Sequence, residues 1–198
     1  NLHRPGIHGR QRIEHACPST LSAACVPSLY ARTLAQGAFM DCRLLTSVTI
    51  GAGVDEIADG AFAGHHTFSI YGSCPNGDYD YRVSSGGWVQ CIQVSSGIPT
   101  VIESLTLGST LKRIGVYAFA WNSKLTTVTF PSSLVTIGHR AFYKNEALTS
   151  IDFGATASSL VTIGGNAFAY ANLTSVVLPD SVTEIEGGAF YFNRHLAS

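Results

Sequence analysis

The residues of this 198-residue chain best suited to covalent chemistry are its five cysteines, Cys17, Cys25, Cys42, Cys74 and Cys91. Their spacings contain no C-x-x-C pair, which disfavours a zinc site. An odd count suits two disulfides plus one buried thiol. The expected pairs are Cys74 with Cys91, and Cys17 with Cys25. A Cys74–Cys91 bond would close a loop of about 17 residues and stabilise by roughly 3 kcal/mol in the chain-entropy view. Cys42 is then the leftover thiol, read as a small buried apolar residue rather than a reactive one.

The other groups that could do chemistry are scattered. Of seven histidines only His65 and His66 are adjacent, and neighbours on a strand point to opposite faces. No H-E-x-x-H, no G-x-S-x-G and no phosphate-cradling glycine loop occurs. The carboxylates Asp55, Glu56, Glu184 and Glu186 read as solvated strand-end groups. The chain is therefore expected to be no enzyme, with no catalytic residues, no cofactor and no metal. An enzyme carrying its site on an insertion at 71–100 is the remaining catalytic reading.

Composition narrows the partners. The formal net charge is −1 and charged residues make up 13% of the chain. Neither nucleic acid nor an anionic membrane is favoured as a partner by such a balance. No apolar run approaches the roughly 20 residues of a membrane span. The first residue is Asn1, not Met. Residues 1–20 have no apolar stretch and carry Arg4, Arg10 and Arg12, so they are not themselves a signal peptide. A removed leader and a fragment of a longer chain both fit. Residues 1–20 are expected to be an irregular N-terminal arm, or a cap over the first repeat unit.

The elements that must position any site come from a repeat. Ala-Phe occurs at Ala38-Phe39, Ala61-Phe62, Ala118-Phe119, Ala141-Phe142, Ala167-Phe168 and Ala189-Phe190. The phenylalanines lie 23, 57, 23, 26 and 22 residues apart. A unit this small cannot bury its own apolar face and must stack on its neighbour. In the unit opening at Leu125, apolar residues follow at Val128, Phe130, Leu134, Ile137, Ala141 and Phe142. Units opening at Leu45, Ile102, Leu148 and Leu173 keep this spacing, Leu148 with three extra residues near 155–158. A degenerate first unit opens at Leu21. Alternation around Val128 predicts a short half-buried strand, ended by Pro131. The phenylalanines are expected to stack into one column. Asn122, Asn145 and Asn193, three residues after their Phe, are expected to satisfy backbone groups inside the turns. The Asn172-Leu173-Thr174 sequon sits at such a turn, which argues against its modification.

Leu125 to Leu148 and Leu173 to Leu196 resemble the BspA-like class of leucine-rich repeat, whose motif runs L-x-x-V-x-I-P-x-S-V-x-x-I-G-x-x-A-F. The resemblance spans 21–198 except for an insertion at 71–100. It implies a mainly β leucine-rich-repeat solenoid of parallel coils of about 23 residues. It also implies adhesion or protein binding at a cell surface or in a secreted setting. Ser198 follows two residues after Leu196 opens another unit, so further repeats or a covering partner are expected at that end.

Two surfaces are candidates for binding. The insertion reads as a β-hairpin around Ser-Gly-Gly, bearing Tyr79, Tyr81, Arg82 and Trp88. Those residues either grip a protein partner or fold back over the solenoid flank. Ser47, Thr49, Ser104, Thr106, Thr127, Thr129, Ser150 and Asp152 are expected on the outward strand face. That face could meet protein or glycan. An ice-like lattice is weakened by Asp152 and Val177, which interrupt the hydroxyl columns. The leading expectation is a non-catalytic protein-binding module at a cell surface, secreted, or in an oxidising lumen. The alternative is a structural accessory subunit of a larger multi-subunit complex, organellar or membrane-associated. A glycan- or ice-binding β-face ranks below both.

Overall fold

The computed structural model describes residues 20–21, 32–39, 42, 45–63, 67–69, 79–83, 89–93, 102–154 and 158–197. Its strands are β1 (Thr20–Leu21), β2 (Thr33–Leu34), β3 (Ser47–Thr49), β4 (Glu56–Ile57), β5 (Thr67–Ser69), β6 (Tyr79–Val83), β7 (Val89–Gln93), β8 (Ser104–Thr106), β9 (Arg113–Ile114), β10 (Thr127–Thr129), β11 (Thr136–Ile137), β12 (Ser150–Asp152), β13 (Thr162–Ile163) and β14 (Glu184–Ile185). No helix occurs among the described residues. Full units contribute two short strands, except that the unit opening at Leu173 contributes only its second, and each of these strands pairs in parallel with a counterpart one unit away. The second strands form a six-stranded sheet in the order β14-β13-β11-β9-β4-β2. The first strands form two sheets, β1-β3-β8 and β10-β12. The expected mainly β solenoid is therefore the observed fold.

The Ala-Phe pair shows why the repeat has this form. Its backbone belongs to the ladder between coils: the Phe39, Phe62, Phe119, Phe142 and Phe168 amides donate to the carbonyls of Ala61, Ala118, Ala141, Ala167 and Ala189 at 2.7–2.8 Å. Alanine permits that approach because its side chain is no larger than a methyl. The rings stack as one spine, with successive centroids 5.1, 5.1, 5.3, 5.4 and 5.5 Å apart and interplanar angles between 3° and 13°. Phe130 and Phe153 form a second stack at 5.0 Å and meet the spine edge-on. Edge-to-face contact places positive ring edges on negative faces. Glycine sets the spacing where the second strand ends. A Cβ on Gly138 would lie 2.7 Å from the Gly115 carbonyl carbon, and one on Gly164 would lie 2.5 Å from the His139 nitrogen.

The turn asparagines act as expected. Asn122 Nδ2 donates to the carbonyls of Phe62 (3.2 Å) and Phe119 (2.9 Å). Asn145 Nδ2 reaches the Phe119 carbonyl at 3.1 Å. Asn193 Nδ2 donates to the Phe168 and Phe190 carbonyls, both at 2.9 Å. Each of these side chains bonds a carbonyl of the preceding coil, so the turn and the stack are held by one group.

Three sequence expectations differ from the structure. Leu21 stands opposite Val48, so the first unit opens three residues earlier than Leu21; alternation alone could not fix the register of so degenerate a unit. Cys42 is buried, but it is disulfide-bonded rather than the leftover thiol. One of the two expected pairs must therefore give up a member to it. The carboxylates are not merely solvated. Asp55 pairs with Arg32 at 2.7 Å, Glu56 pairs with Arg113, and the Gly165 amide donates to Glu186 at 2.7 Å. Coil stacking brings together charges that are tens of residues apart in sequence.

Candidate binding edge

The outward strand positions fall where alternation puts them. Ser47 pairs in register with Ser104 and Thr49 with Thr106. Thr127 pairs with Ser150 and Thr129 with Asp152. All are exposed except Ser47, which is half-buried. Ser47 and Ser104 share a hydrogen bond at 3.1 Å, and Asp152 accepts the Gly154 amide at 2.8 Å. Ser47, Ser104 and Asp152 thus have short-range partners. Val177, in the same outward column, is 71% exposed.

The insertion also forms strands. β6 and β7 pair antiparallel, with Tyr79 opposite Gln93, Tyr81 opposite Cys91 and Arg82 opposite Gln90. β5 adds to the other edge of β7, a third strand that the sequence pattern did not announce. Trp88, Cys74, Cys17 and Cys25 lie outside the described residues. Their expected roles rest on the sequence, and the Cys42 bond leaves at most one of the expected Cys74–Cys91 and Cys17–Cys25 pairs.

A third surface emerges only when the coils are stacked. In the later coils, the turn after each Phe, and the residue before Ala118 and Ala141, carry large side chains that line up along one edge. Tyr117 stacks on Trp121 at 5.4 Å. Trp121 meets Tyr143 edge-on at 5.3 Å, Tyr143 meets Tyr170 at 5.5 Å, and Tyr170 meets Tyr191 at 5.7 Å and Phe192 at 4.9 Å. Cations interleave with these rings. The Arg140 guanidinium lies 5.0 Å from the Tyr143 centroid, and Arg140 also donates to the Tyr117 hydroxyl at 2.6 Å. The Lys144 ammonium is 5.8 Å from Tyr143 and 5.9 Å from Tyr170. Arg194 sits 4.3 Å over Phe192.

Partial burial leaves an electrostatic mark on this ladder. Desolvation pushes the Tyr143 hydroxyl above its ordinary value, against the opposing pull of Arg140. Desolvation also lowers Arg140, while Tyr143 and Tyr170 act in the other direction. Such environments suit rings and cations that meet another surface, because little water remains to be displaced from them.

The backbone is also unusual here. Tyr117, Trp121, Arg140, Lys144, Tyr170 and Phe192 all have φ between 54° and 62°. This left-handed region favours glycine, and bulky residues in it cost on the order of 1 kcal/mol or more each. The corresponding positions before Ala38, Ala61 and Ala189 do carry glycine, with φ of 62°, 62° and 70°. At the position before Ala, which Tyr117 and Arg140 occupy, the turn therefore does not require an aromatic or a cation. In the coil of Phe62, the stretch equivalent to the Trp121 turn is the one that lengthens into the insertion, between Ala63 and Ile102.

Among the described residues no cluster of His, Cys, Asp and Glu could hold a metal, and no helix is long and apolar enough to cross a membrane.

The family model described as a BspA type leucine rich repeat region matches residues 19–73 and 99–198, in 6 copies. Solved structures share the fold at low identity. The pneumococcal vaccine antigen PcpA is 22% identical with a TM-score of 0.57, over 80% of this chain and 33% of that one. A leucine rich cell surface protein from Faecalibacterium prausnitzii is 21% identical with a TM-score of 0.47, over 89% and 52%. A leucine-rich repeat protein from Bacteroides ovatus is 17% identical with a TM-score of 0.46, over 78% and 42%. The chain thus spans between a third and about half of the length of these proteins. None of the curated protein sequences matches it.

Proposed function

The chain belongs to the BspA-type leucine-rich-repeat family, and from that premise we propose that it is a non-catalytic protein-binding module. Its partner lies along the turn edge, held by the aromatic and cationic ladder and by the insertion. The observation that carries this reading is the use of Tyr, Trp, Phe, Arg and Lys at left-handed turn positions where glycine is the unstrained choice. These are also the residue types that anchor interfaces. Tyr79, Tyr81, Arg82 and Trp88 of the insertion are the further partner contacts of this reading, and the hydroxyl-rich strand face plays the lesser role. The bonded Cys42 favours an oxidising setting, in keeping with a cell-surface or secreted location.

The test is capture from the source cells with wild-type chain and with Trp121→Ala/Tyr143→Ala. Specific partners should be lost from the variant while its circular dichroism stays unchanged. An identical set of captured partners would refute the reading. Deleting residues 72–98 in a parallel capture separates the insertion from the ladder.

A further inference from the structure

The turns between each Phe and the next opening Leu are not all the same length. Phe119 to Leu125, Phe142 to Leu148 and Phe190 to Leu196 each span six positions, whereas Phe168 to Leu173 spans five. Ala171 stands three residues after Phe168, where the other turns carry asparagine, and one residue fewer separates it from the next opening Leu. One short turn between two full ones leaves a notch, of about 320 Å³. Tyr170 and Ala171 form its floor, with Asn172 beside them. Glu146 from the preceding turn forms one wall, and Phe192, Arg194 and His195 from the following turn form the other.

From this geometry we propose that the notch is a subsite for a pyranose ring of a neutral glycan. The chemistry of the lining selects that ligand. Tyr170 is half-buried and Phe192, with Arg194 over its ring, is 43% exposed, so Tyr170 and the uncovered part of Phe192 offer apolar surface to the C–H face of a sugar. Glu146 can only accept hydrogen bonds, Arg194 can only donate, and the Asn172 amide does both. A ligand that satisfies all three must donate and accept at neighbouring atoms, as sugar hydroxyls do. The lining carries both signs, so neither an anion nor a cation is matched on every side. An anion would face Glu146, and a cation would face Arg194, with Lys144 close by on Tyr170. The volume matches the lower range of small-ligand sites, which one or two rings fill. This site is separate from the ladder's role in protein binding, although Tyr170 and Phe192 belong to both.

The experiment is saturation-transfer NMR with maltotetraose, cellotetraose and mannotetraose as probes. At least one probe should receive saturation and bind in the millimolar range or tighter. Tyr170→Ala and Glu146→Gln should each weaken that binding about tenfold, a difference of about 1.4 kcal/mol. Inserting one Asn between Tyr170 and Ala171 restores the six-position turn and should abolish transfer, with circular dichroism and thermal midpoint retained. Absence of transfer to every probe overturns the proposal. So does transfer that persists in Tyr170→Ala, whose ring lies outside the buried core. Loss of glycan binding with unchanged protein capture leaves the module reading intact. The reverse pattern overturns that reading alone.

Discussion

Replacing Phe142 with alanine should cost far more stability than the same change at Phe190. Phe142 is fully buried. Its ring stacks on Phe119 at 5.3 Å and Phe168 at 5.4 Å, and takes the edge of Phe130 at 5.6 Å. Truncation removes the transfer term and leaves a cavity walled by three rings that the coil ladder prevents from closing. Phe-to-Ala changes of this kind cost about 3–5 kcal/mol. Phe190 is half-buried and stacks only on Phe168, at 5.5 Å. Truncation there opens to solvent rather than leaving a closed void, so about 1–2 kcal/mol is expected, roughly half a side-chain transfer term. With a urea slope of about 2 kcal/mol per molar, the Phe142 variant should lose about 2 M in midpoint and the Phe190 variant less than about 1 M. Urea titration followed by circular dichroism reads both. The Phe142 transition should also broaden, because a central defect weakens coupling to both neighbouring coils. Equal shifts for the two variants would refute the spine as the main source of cohesion.

Other expectations concern single groups. Asn145→Ala removes the bond to the Phe119 carbonyl inside a buried turn and should cost about 1–3 kcal/mol by the same titration. Gly138→Ala would drive a methyl against the backbone of the preceding coil and should cost about 1–3 kcal/mol, whereas Gly53→Ala meets no atom within 4 Å and should cost less, through its φ of 105° alone. Tyr143 is raised by desolvation, so its neutral form is the one the fold prefers. Its contribution is fully present below the ordinary tyrosine value near 10 and is lost as pH rises from there toward the folded value. Alkaline absorbance titration should therefore show a late-ionising tyrosine, and Tyr143→Phe should remove it.

Much of the fold was legible because a 23-residue unit repeats its own constraints. Alternation around Val48 and Val128, the glycines at 115, 138 and 164, and the turn asparagines each follow from local chemistry. The column of Ser47, Ser104, Thr127 and Ser150 could be placed on one face for the same reason. What escaped the sequence depends on contacts between coils. Trp121 and Tyr170 share the second position after their Phe, Tyr143 stands at the first and Tyr117 precedes its Ala, so the ladder mixes three motif positions; its members meet because these positions converge on one edge. Their signal was the substitution of bulky residues for glycine before Ala118 and Ala141. The notch likewise had a signal, the 22-residue step from Phe168 to Phe190, but a step length does not show which side chains will wall the gap. Cys42 was misread because spacing cannot decide connectivity among five cysteines.

The central claim is that partners bind along the turn edge. A photo-crosslinking residue placed at Trp121, and separately at Thr129 on the strand face, tests it most directly in source-cell extract. The account expects specific crosslinked partners from position 121 and none from position 129. Specific crosslinks from position 129 alone would contradict it.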